Sequence, residues 1–372
     1  MKRATILTVI GMLLVLGYGV PAWSCTGVTI KAADGSVVHA RSLEWGGIAL
    51  NSQAIIIPRG TKYVGWAYSG KSAQDNPGKQ WTGRYGVVGM NMFGMPLLLD
   101  GLNEKGLACG SFFLPGFAEY QKVTPENQAK AIATGQFVTW ILTQFDSVEQ
   151  VRRALAEIVV GSAVPDFWQG QMPLHWIVTD SKESIVIEPI KGRLVVFEAP
   201  LGTITNSPNY DWHMINMRNW VNLRPENVKM IEWGGKSFTP LGEGSGLHGL
   251  PADFTPPSRF VRAALFSQFA LQPKDAREAV LTATHVLNAF FINKGYVRQE
   301  DDGKMQYEYT NWEAFADVSG RRYYYRTYDN PSLRVIDLGQ FDLKPGPVQA
   351  VPIQAFKSID VTGDAKPLGP SN

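Results

Sequence analysis

The order of the predicted elements indicates an α+β fold, with stacked sheets and helices on the outside. Hairpin-forming strands come first, followed by helices, strands, helices and strands again. This segregation differs from the regular strand–helix alternation of a parallel βαβ sheet. No internal linker divides the chain, so we expect one domain over residues 25–340. The Pro- and Gly-containing residues 341–372 are expected to pack on that domain or to fray from it.

The composition fits a folded, catalytic or binding domain. The chain has 372 residues, 45% hydrophobic and 18% charged, with a formal net charge of +2. A disordered or collagen-like chain would need fewer apolar residues or far more Gly and Pro. The near-neutral charge gives no electrostatic reason to expect nucleic acid or an anionic membrane as a partner.

Residues 1–24 are predicted to be a signal peptide. Met1-Lys2-Arg3 is basic, residues 4–20 are apolar, and Ala22-Trp23-Ser24 is a small-x-small cleavage signal. The alternative is a membrane anchor, which the short apolar stretch and Pro21 disfavour. We therefore expect an exported protein, periplasmic or secreted, that is not held at a membrane after cleavage.

Cys25 would then be the first residue of the mature chain. Its free α-amine, with an ordinary pKa of about 7.7–8.0, can act as a base toward its own thiol. Lipidation of Cys25 is the alternative and would exclude catalysis, although bulky Trp23 disfavours it. None of the five histidines lies in a recognisable Cys-His motif. The other cysteine, Cys109, is interpreted as a buried core thiol.

The first strands form a hairpin. Cys25–Lys31 is predicted to be a strand, Asp34-Gly35 a two-residue turn, and Ser36–Arg41 the returning strand. A two-residue turn would place Glu44 opposite Cys25 and would point Arg41 to the other face, unless a bulge redirects it. In either case a guanidinium and a carboxylate lie near the new N-terminus. The cation would lower the thiol pKa and the carboxylate could orient the amine, although an ordinary surface ion pair is also possible.

The other strands and helices are predicted from hydrophobic periodicity and from turn-forming residues. Strands are predicted at 53–57, 63–68, 85–90, 97–99, 174–179, 184–190, 193–197, 305–309, 321–325 and 333–338. Helices are predicted at 137–144, from 148 onward, at 259–269 and at 274–290. Ser147 and Gln150 have the spacing of a capping box for the second helix.

Other motifs give no support for a cofactor or a metal. Residues 244–249 match G-x-G-x-x-G, but Pro251 follows and no helix opens there, which argues against a dinucleotide site. The chain also lacks a P-loop, H-E-x-x-H, paired C-x-x-C and S-x-x-K motifs. The sequence therefore predicts neither a metal nor a cofactor.

Five segments in order resemble the choloylglycine hydrolase family of N-terminal-nucleophile hydrolases. They are Cys25-Thr26, residues 40–45 (ARSLEW), residues 100–107 (DGLNEKGL), residues 205–208 (TNSP) and residues 258–262 (SRFVR). The resemblance extends from Cys25 to about residue 338. It implies a four-layer αββα sandwich and, for the assembly, a homotetramer.

The resemblance also implies roles for individual residues. Cys25 matches the nucleophile, Arg41 the arginine beside it, Asn206 the side-chain donor to the oxyanion, and Arg259 the second arginine of the site. Glu44 stands where an aspartate is usual.

Phe113 falls where bile salt hydrolases have Asn, and it could supply only its backbone N–H to the oxyanion. Candidate residues of an apolar acyl pocket are Trp45, Phe112 and Phe113, each of which could equally be core, and Thr205 is a further candidate for the substrate pocket.

The predicted function is therefore amide hydrolysis through an N-terminal thiolate, acting on a small-molecule N-acyl substrate. Phe113 and the signal peptide favour a penicillin V acylase or an acyl-homoserine-lactone acylase. Conjugated bile salt hydrolysis is the alternative within the enzyme class. A periplasmic or lipid-anchored binding protein is the alternative without chemistry.

Overall fold

A computed structural model of the chain describes residues 24–47, 49–70, 75–166, 168, 170–301, 303–351 and 357. The predicted signal peptide lies outside these residues, except for Ser24. None of the described helices is long and apolar enough to cross a membrane.

The described chain is rich in strands. In chain order they are β1 (Cys25–Lys31), β2 (Val37–Trp45), β3 (Ala54–Ile57), β4 (Lys62–Trp66), β5 (Pro77–Thr82), β6 (Val87–Asn91), β7 (Leu98–Asn103), β8 (Ala108–Phe113), β9 (Ala131–Ala133), β10 (Val159–Gly161), β11 (Leu174–Thr179), β12 (Ser184–Ile190), β13 (Arg193–Glu198), β14 (Ile231–Trp233), β15 (Lys236–Phe238), β16 (Val297–Asp301), β17 (Lys304–Asp317), β18 (Arg322–Thr327), β19 (Asn330–Asp337) and β20 (Gln349–Val351). The α-helices are α1 (Phe137–Gln144), α2 (Val148–Ala154), α3 (Tyr210–Asn216), α4 (Pro256–Phe269) and α5 (Ala276–Asn288).

Two antiparallel sheets form the centre of the fold. The first has the order β1-β2-β17-β18-β19, with β16 paired to one end of β17. The second has the order β13-β12-β11-β8-β7-β6-β3-β20. Helices α4 and α5 pack on the outer face of the first sheet, and α1 packs on β7 and β8 of the second. The four layers are therefore helix, sheet, sheet and helix, which confirms the predicted α+β sandwich.

Side chains alternate along β1 and β2, so that one face of the first sheet packs on the helices and the other packs on the second sheet. Val28 and Ala40 belong to the apolar cluster that packs against α5. Cys25, Leu43 and Trp312 belong to the large core between the sheets. Because side chains alternate with a period of two, the thiol faces the second sheet and its sequence neighbours face the helices.

Several predicted boundaries hold, and the errors have local causes. Strands β11 and β12 and helix α1 match the prediction residue for residue. Strand β8 was not predicted, because its start, Ala108-Cys109-Gly110-Ser111, is small and lacks β-branched residues. The end of the chain contributes β20, which pairs with β3 and extends the second sheet.

The capping box predicted for α2 is wrong. The Ser147 side chain makes no capping hydrogen bond. The Oε1 atom of Gln150 instead accepts the N–H of Asp146 at 3.3 Å. The first helical N–H, that of Val148, donates to Oδ2 of Asp180 at 2.9 Å. A carboxylate from a distant part of the chain replaces the local hydroxyl, and such a partner cannot be predicted from spacing.

Candidate active site

The hairpin that begins at Cys25 has a longer turn than predicted. The N–H of Ala32 donates to the carbonyl of Ser36 at 2.8 Å, and Gly35 has φ +88°. A three-residue loop with a left-handed last residue shifts the register by one position. Cys25 is therefore opposite Leu43. The predicted pairing of Cys25 with Glu44 is wrong.

This shift brings Arg41 to the thiol. Arg41 is opposite Gly27, so its side chain lies on the same face as that of Cys25. Its Nη2 atom donates to Sγ of Cys25 at 3.1 Å, and Nη1 donates to the carbonyl of Ser111 at 2.6 Å. The guanidinium carbon lies 4.5 Å from the centroid of Phe112. A fully buried cation is thus fixed against the sulfur without any bulge in this hairpin.

Burial and charge oppose each other at the thiol. Burial raises the pKa of the Cys25 thiol above its ordinary value, and the carboxylate of Glu44 acts in the same direction. The guanidiniums of Arg41 and Arg259 lower it, but each acts less strongly than burial, and the pKa of the thiol is raised on balance. The predicted lowering by a cation is present but does not dominate while Ser24 is attached. The thiol therefore needs a base to become a nucleophile.

The nitrogen of Cys25 is held by Asn206. The backbone N–H of Cys25 donates to Oδ1 of Asn206 at 2.9 Å, and Nη2 of Arg259 donates to the same oxygen at 2.6 Å. The Nδ2 atom of Asn206 donates to the carbonyl of Phe113 at 2.8 Å. One amide thereby orients the backbone nitrogen of Cys25, and its second N–H is the candidate donor to an oxyanion.

Arg259 connects the helix layer to β1. It lies in the first turn of α4 and is 1% exposed. Its Nη1 atom donates to Oγ1 of Thr26 at 2.9 Å and to the carbonyl of Cys25. Its Nε atom donates to the carbonyl of Phe254 at 2.8 Å. The guanidinium therefore fixes the carbonyl of Cys25 and the side chain of the residue that follows it.

A backbone bridge places Asn206 beside β1. Gly27 and Ile204 exchange two hydrogen bonds of 2.8 and 3.1 Å. Nε2 of His213 is 2.9 Å from the carbonyl oxygen of Asn206, and its ring stacks on Phe260 with centroids 4.6 Å apart. Burial lowers the pKa of His213 to about 4, so its imidazole is neutral and donates from Nε2. His213 thus supports the segment that carries Asn206, a role that no sequence motif indicated.

Glu44 lies on the helix-facing side of the sheet, away from the thiol. Its Oε1 accepts the hydroxyl of Thr310 at 2.9 Å and its Oε2 accepts that of Ser42 at 3.1 Å. Its backbone N–H donates to the carbonyl of Ser24 at 2.9 Å. Burial raises the pKa of Glu44 to about 8, against the opposing charge of Arg259. The side chain is engaged by hydroxyl groups, and its backbone contacts the residue before Cys25.

A second carboxylate near Cys25 was missed in the sequence analysis. Oε1 of Glu308 accepts the backbone N–H of Ser24 at 2.6 Å, and Glu308 is 6% exposed. Glu308 belongs to β17, which pairs with β2. A Glu in a polar, tyrosine-rich strand resembles a surface position, so only the sheet pairing reveals its location.

Three of the predicted pocket residues lie in different environments. Phe112 is fully buried under the Arg41 guanidinium. Thr205 is also buried, and its hydroxyl donates to the carbonyl of Pro256 at 3.1 Å. Trp45 ends β2, and its ring centroid is 5.9 Å from that of Trp168. Of the three, only Trp45 contacts an aromatic group outside the sheets.

An aromatic cluster next to Trp45 was also missed. Phe93 lies 5.8 Å from Trp168, between ring centroids, so Trp168 bridges Phe93 and Trp45. Phe93 and Trp168 are partly exposed and lie outside strands and helices. Loops do not show the periodicity on which the prediction of apolar faces depends.

Both cysteines are free and buried. Among the described residues, no group of three or more His, Cys, Asp or Glu is placed to hold a metal ion. The polar groups around Sγ of Cys25 are its own backbone nitrogen, the amide of Asn206 and the guanidiniums of Arg41 and Arg259.

Comparisons with known proteins identify the family of the chain. The family "Linear amide C-N hydrolases, choloylglycine hydrolase family" matches residues 25–355. A bile salt hydrolase/transferase of Clostridium perfringens (strain 13 / Type A) is 32% identical over 344 residues, covering 90% of this chain and 99% of the relative. A penicillin V acylase of Pectobacterium atrosepticum is 24% identical over 334 residues, covering 83% of this chain and 78% of the relative.

Solved structures give the same grouping. A mutant of the conjugated bile acid hydrolase from Clostridium perfringens superposes with a TM-score of 0.78 at 31% identity, covering 91% of this chain and all of that one. The penicillin V acylase from Agrobacterium tumefaciens shares the fold, with a TM-score of 0.70 at 21% identity, covering 89% of this chain and 92% of that one. With the family match over most of its length, the chain belongs to the choloylglycine hydrolase family of linear amide C–N hydrolases.

Proposed function

We propose that this hydrolase cleaves the amide of conjugated bile salts, releasing the acid and the amino-acid amine. The observation that carries hydrolysis is that both reactive atoms of Cys25 are anchored, Sγ by Arg41 and the nitrogen by Asn206. The substrate class is supported by the bile salt hydrolase relative, because the match covers 99% of the length of that relative. This reverses the order given by the sequence analysis, in which Phe113 favoured penicillin V or acyl homoserine lactones.

The proposed reaction begins with proton transfer from the Cys25 thiol to its own neutral α-amine. The thiolate attacks the substrate carbonyl carbon, and the tetrahedral oxyanion collapses as the amine leaves with the proton from the α-ammonium. The product of this half-reaction is a thioester on Cys25. Water then attacks the thioester, gives a proton to the α-amine, and releases the carboxylic acid with the regenerated thiol.

The proposed oxyanion donor is the second Nδ2–H of Asn206. A fixed donor of this kind typically contributes about 3 kcal/mol to transition-state stabilisation. Phe113 is the other predicted donor, through its backbone N–H. Its carbonyl oxygen accepts from Asn206 and thereby fixes the amide plane. The proposal therefore assigns Phe113 an orienting contact in addition to the predicted donor role.

Penicillin V is the second candidate substrate, because of Phe113 and the penicillin V acylase relative. A product assay on one enzyme preparation distinguishes the candidates. The panel contains glycine- and taurine-conjugated bile salts, penicillin V and long-chain acyl homoserine lactones. We expect kcat/KM to be highest for a bile salt conjugate, and a higher value for penicillin V or a lactone would refute this assignment.

We further propose that export removes residues 1–24 and exposes Cys25 in the periplasm or outside the cell. Intact-mass measurement of the exported protein is expected to give a chain that begins at Cys25. The variant Cys25→Ala is expected to fold and bind but not to turn over. An extended or lipidated terminus, or unchanged turnover in that variant, would contradict the proposal.

The homotetramer implied by the family resemblance is retained as a proposal. The hairpin of β14 and β15 exposes apolar side chains, with Trp233 69% and Phe238 50% exposed. Exposed apolar patches of this kind are typical of subunit interfaces. Light scattering of the purified enzyme would give the number of subunits, and a monomer at micromolar concentration would contradict the proposal.

A further inference from the structure

Ser24, the residue before Cys25, is held by the carboxylate of Glu308. This carboxylate has no role in the proposed reaction. Glu308 is buried in β17, and its Oε1 accepts the N–H of Ser24 at 2.6 Å. Strand β17 pairs with β2 so that Thr310 is opposite Glu44. Glu308 precedes Thr310 by two residues and therefore lies on the same, helix-facing side of the sheet. Two carboxylates thus lie near the start of β1.

The two carboxylates have different partners. Both oxygens of Glu44 accept hydroxyl groups, from Ser42 and Thr310. Glu308 is bound to the polypeptide that precedes the thiol. Removal of residues up to Ser24 would leave the side-chain hydrogen bonds of Glu44 intact but would take the N–H donor away from Glu308. A buried carboxylate without a donor is costly, so the vacated position needs a new one.

Cleavage creates a charged donor, the α-amino group of Cys25, and also frees the backbone N–H of Glu44. Consecutive backbone nitrogens are separated by three covalent bonds, which is about 3 Å. The carboxylate that now contacts the Ser24 nitrogen is therefore within reach of the Cys25 nitrogen through one bridging water. Asn206 already accepts from that nitrogen on its other side, at 2.9 Å.

We propose that Glu308 is a positioning residue of the processed enzyme, whose carboxylate holds the α-amino group of Cys25 through a water in the space that Ser24 vacates. This inference rests on the proposed N-terminal-nucleophile mechanism. It adds a second anchor for the amine that has to accept and return the proton. Arg259 supplies the compensating charge, since it is the cation that opposes the effect of burial on Glu308.

The charges that face the amine determine the sign of the expected effect. They are the guanidiniums of Arg41 and Arg259, the carboxylates of Glu44 and Glu308, and the Cys25 thiol. Replacing Glu308 with glutamine removes a negative charge and leaves both cations. The ammonium form is then less favoured, so the pKa of the α-amine falls. The acid limb of kcat/KM, which requires the neutral amine, is expected to move to lower pH.

The test uses enzyme that begins at Cys25, produced as Glu308→Gln, Glu308→Asp and wild type. Glu300→Gln is the matched control, because Glu300 is an exposed residue on the neighbouring strand. The first readout is the pH profile of kcat/KM on the substrate that the product assay identifies. We expect Glu308→Gln to shift the acid limb down by about half to one pH unit and to lower kcat about tenfold. In Glu308→Asp the acid limb of kcat/KM should lie close to its wild-type pH. The Glu300→Gln control should match wild type.

The second readout needs no substrate. With ¹³C-labelled cysteine only Cys25 and Cys109 are visible, and the Cα shift of Cys25 reports the titration of its α-amine. A lower α-amine pKa in Glu308→Gln than in wild type would support the proposal even in an enzyme that cleaves none of the tested amides. Equal pKa values and equal acid limbs would overturn it, as would a change confined to thermal stability. If Glu308→Gln does not fold, Glu308→Ala, which also removes the carboxylate, takes its place in the same comparison with the same expected shift.

Discussion

Replacement of Asn206 with alanine tests the centre of the site. The side chain accepts from the Cys25 nitrogen and from Arg259, and it donates to the carbonyl of Phe113. Alanine removes the proposed oxyanion donor, which corresponds to a loss of about 10²–10³ in kcat, or about 3–4 kcal/mol. It also leaves three buried polar groups without this partner, at about 1–3 kcal/mol each. We therefore expect a lower kcat together with a lower free energy of unfolding.

Two further variants separate catalysis from stability. Asn103→Ala is the matched control, because Asn103 is equally buried and its side chain makes four backbone hydrogen bonds away from Cys25. It should reduce stability by a similar amount while the folded enzyme keeps its kcat. Asn206→Asp keeps an acceptor for Arg259 but cannot donate to an oxyanion, so it should be folded and as inactive as the alanine variant.

The assay is product release under saturating substrate, with urea unfolding of each variant to define the folded fraction. A kcat for Asn206→Ala within about threefold of wild type, in a folded protein, would refute the oxyanion assignment. A loss in Asn103→Ala as large as that in Asn206→Ala would show that instability alone explains the effect.

The other predictions concern a buried carboxylate and the aromatic cluster. In a chain that retains Ser24, the pKa of Glu44 is raised by burial to about 8, so the folded form holds a proton that the unfolded form releases. The protonated group therefore adds to the free energy of unfolding at low pH. This contribution falls by about 1.4 kcal/mol per pH unit between about pH 5 and 8. The free energy of unfolding, measured in urea across that range, should depend less steeply on pH in Glu44→Gln than in wild type. Equal slopes in the two proteins would contradict the prediction. Trp168→Ala removes the ring that bridges Trp45 and Phe93. We expect KM for a bile salt conjugate to rise about tenfold with kcat nearly unchanged, and steady-state kinetics showing the opposite split would exclude Trp168 from substrate binding.

The register of the first hairpin shows how a small sequence ambiguity changes the site. Asp34-Gly35 is correctly predicted as a turn, but the same residues fit a two-residue or a three-residue loop. The difference of one residue decides whether Arg41 faces the thiol or the helices. The structure selects the longer loop, and the Arg41 contact with Cys25 follows from it.

The residues that surround Cys25 illustrate what local patterns can and cannot predict. Cys25, Arg41, Asn206 and Arg259 are recognised because each lies in a short motif with an ordered spacing. Glu308 carries no such signal, since its contact with Ser24 joins residues 284 positions apart in the chain. His213 is also invisible in the sequence, because its role depends on where α3 packs against α4.

The alternation of strands, the class of fold and the candidate nucleophile could be read from the amino-acid order, because they depend on periodicity and on the chemistry of single residues. The partners of Cys25 follow only from the folded arrangement of the chain. Arg41 faces the sulfur because of a turn length, Asn206 reaches the nitrogen because of the bridge between Gly27 and Ile204, and Glu308 meets Ser24 because β17 pairs with β2. Hydrogen bonds between distant segments form only after the sheets have set their register, so their partners are properties of the folded chain.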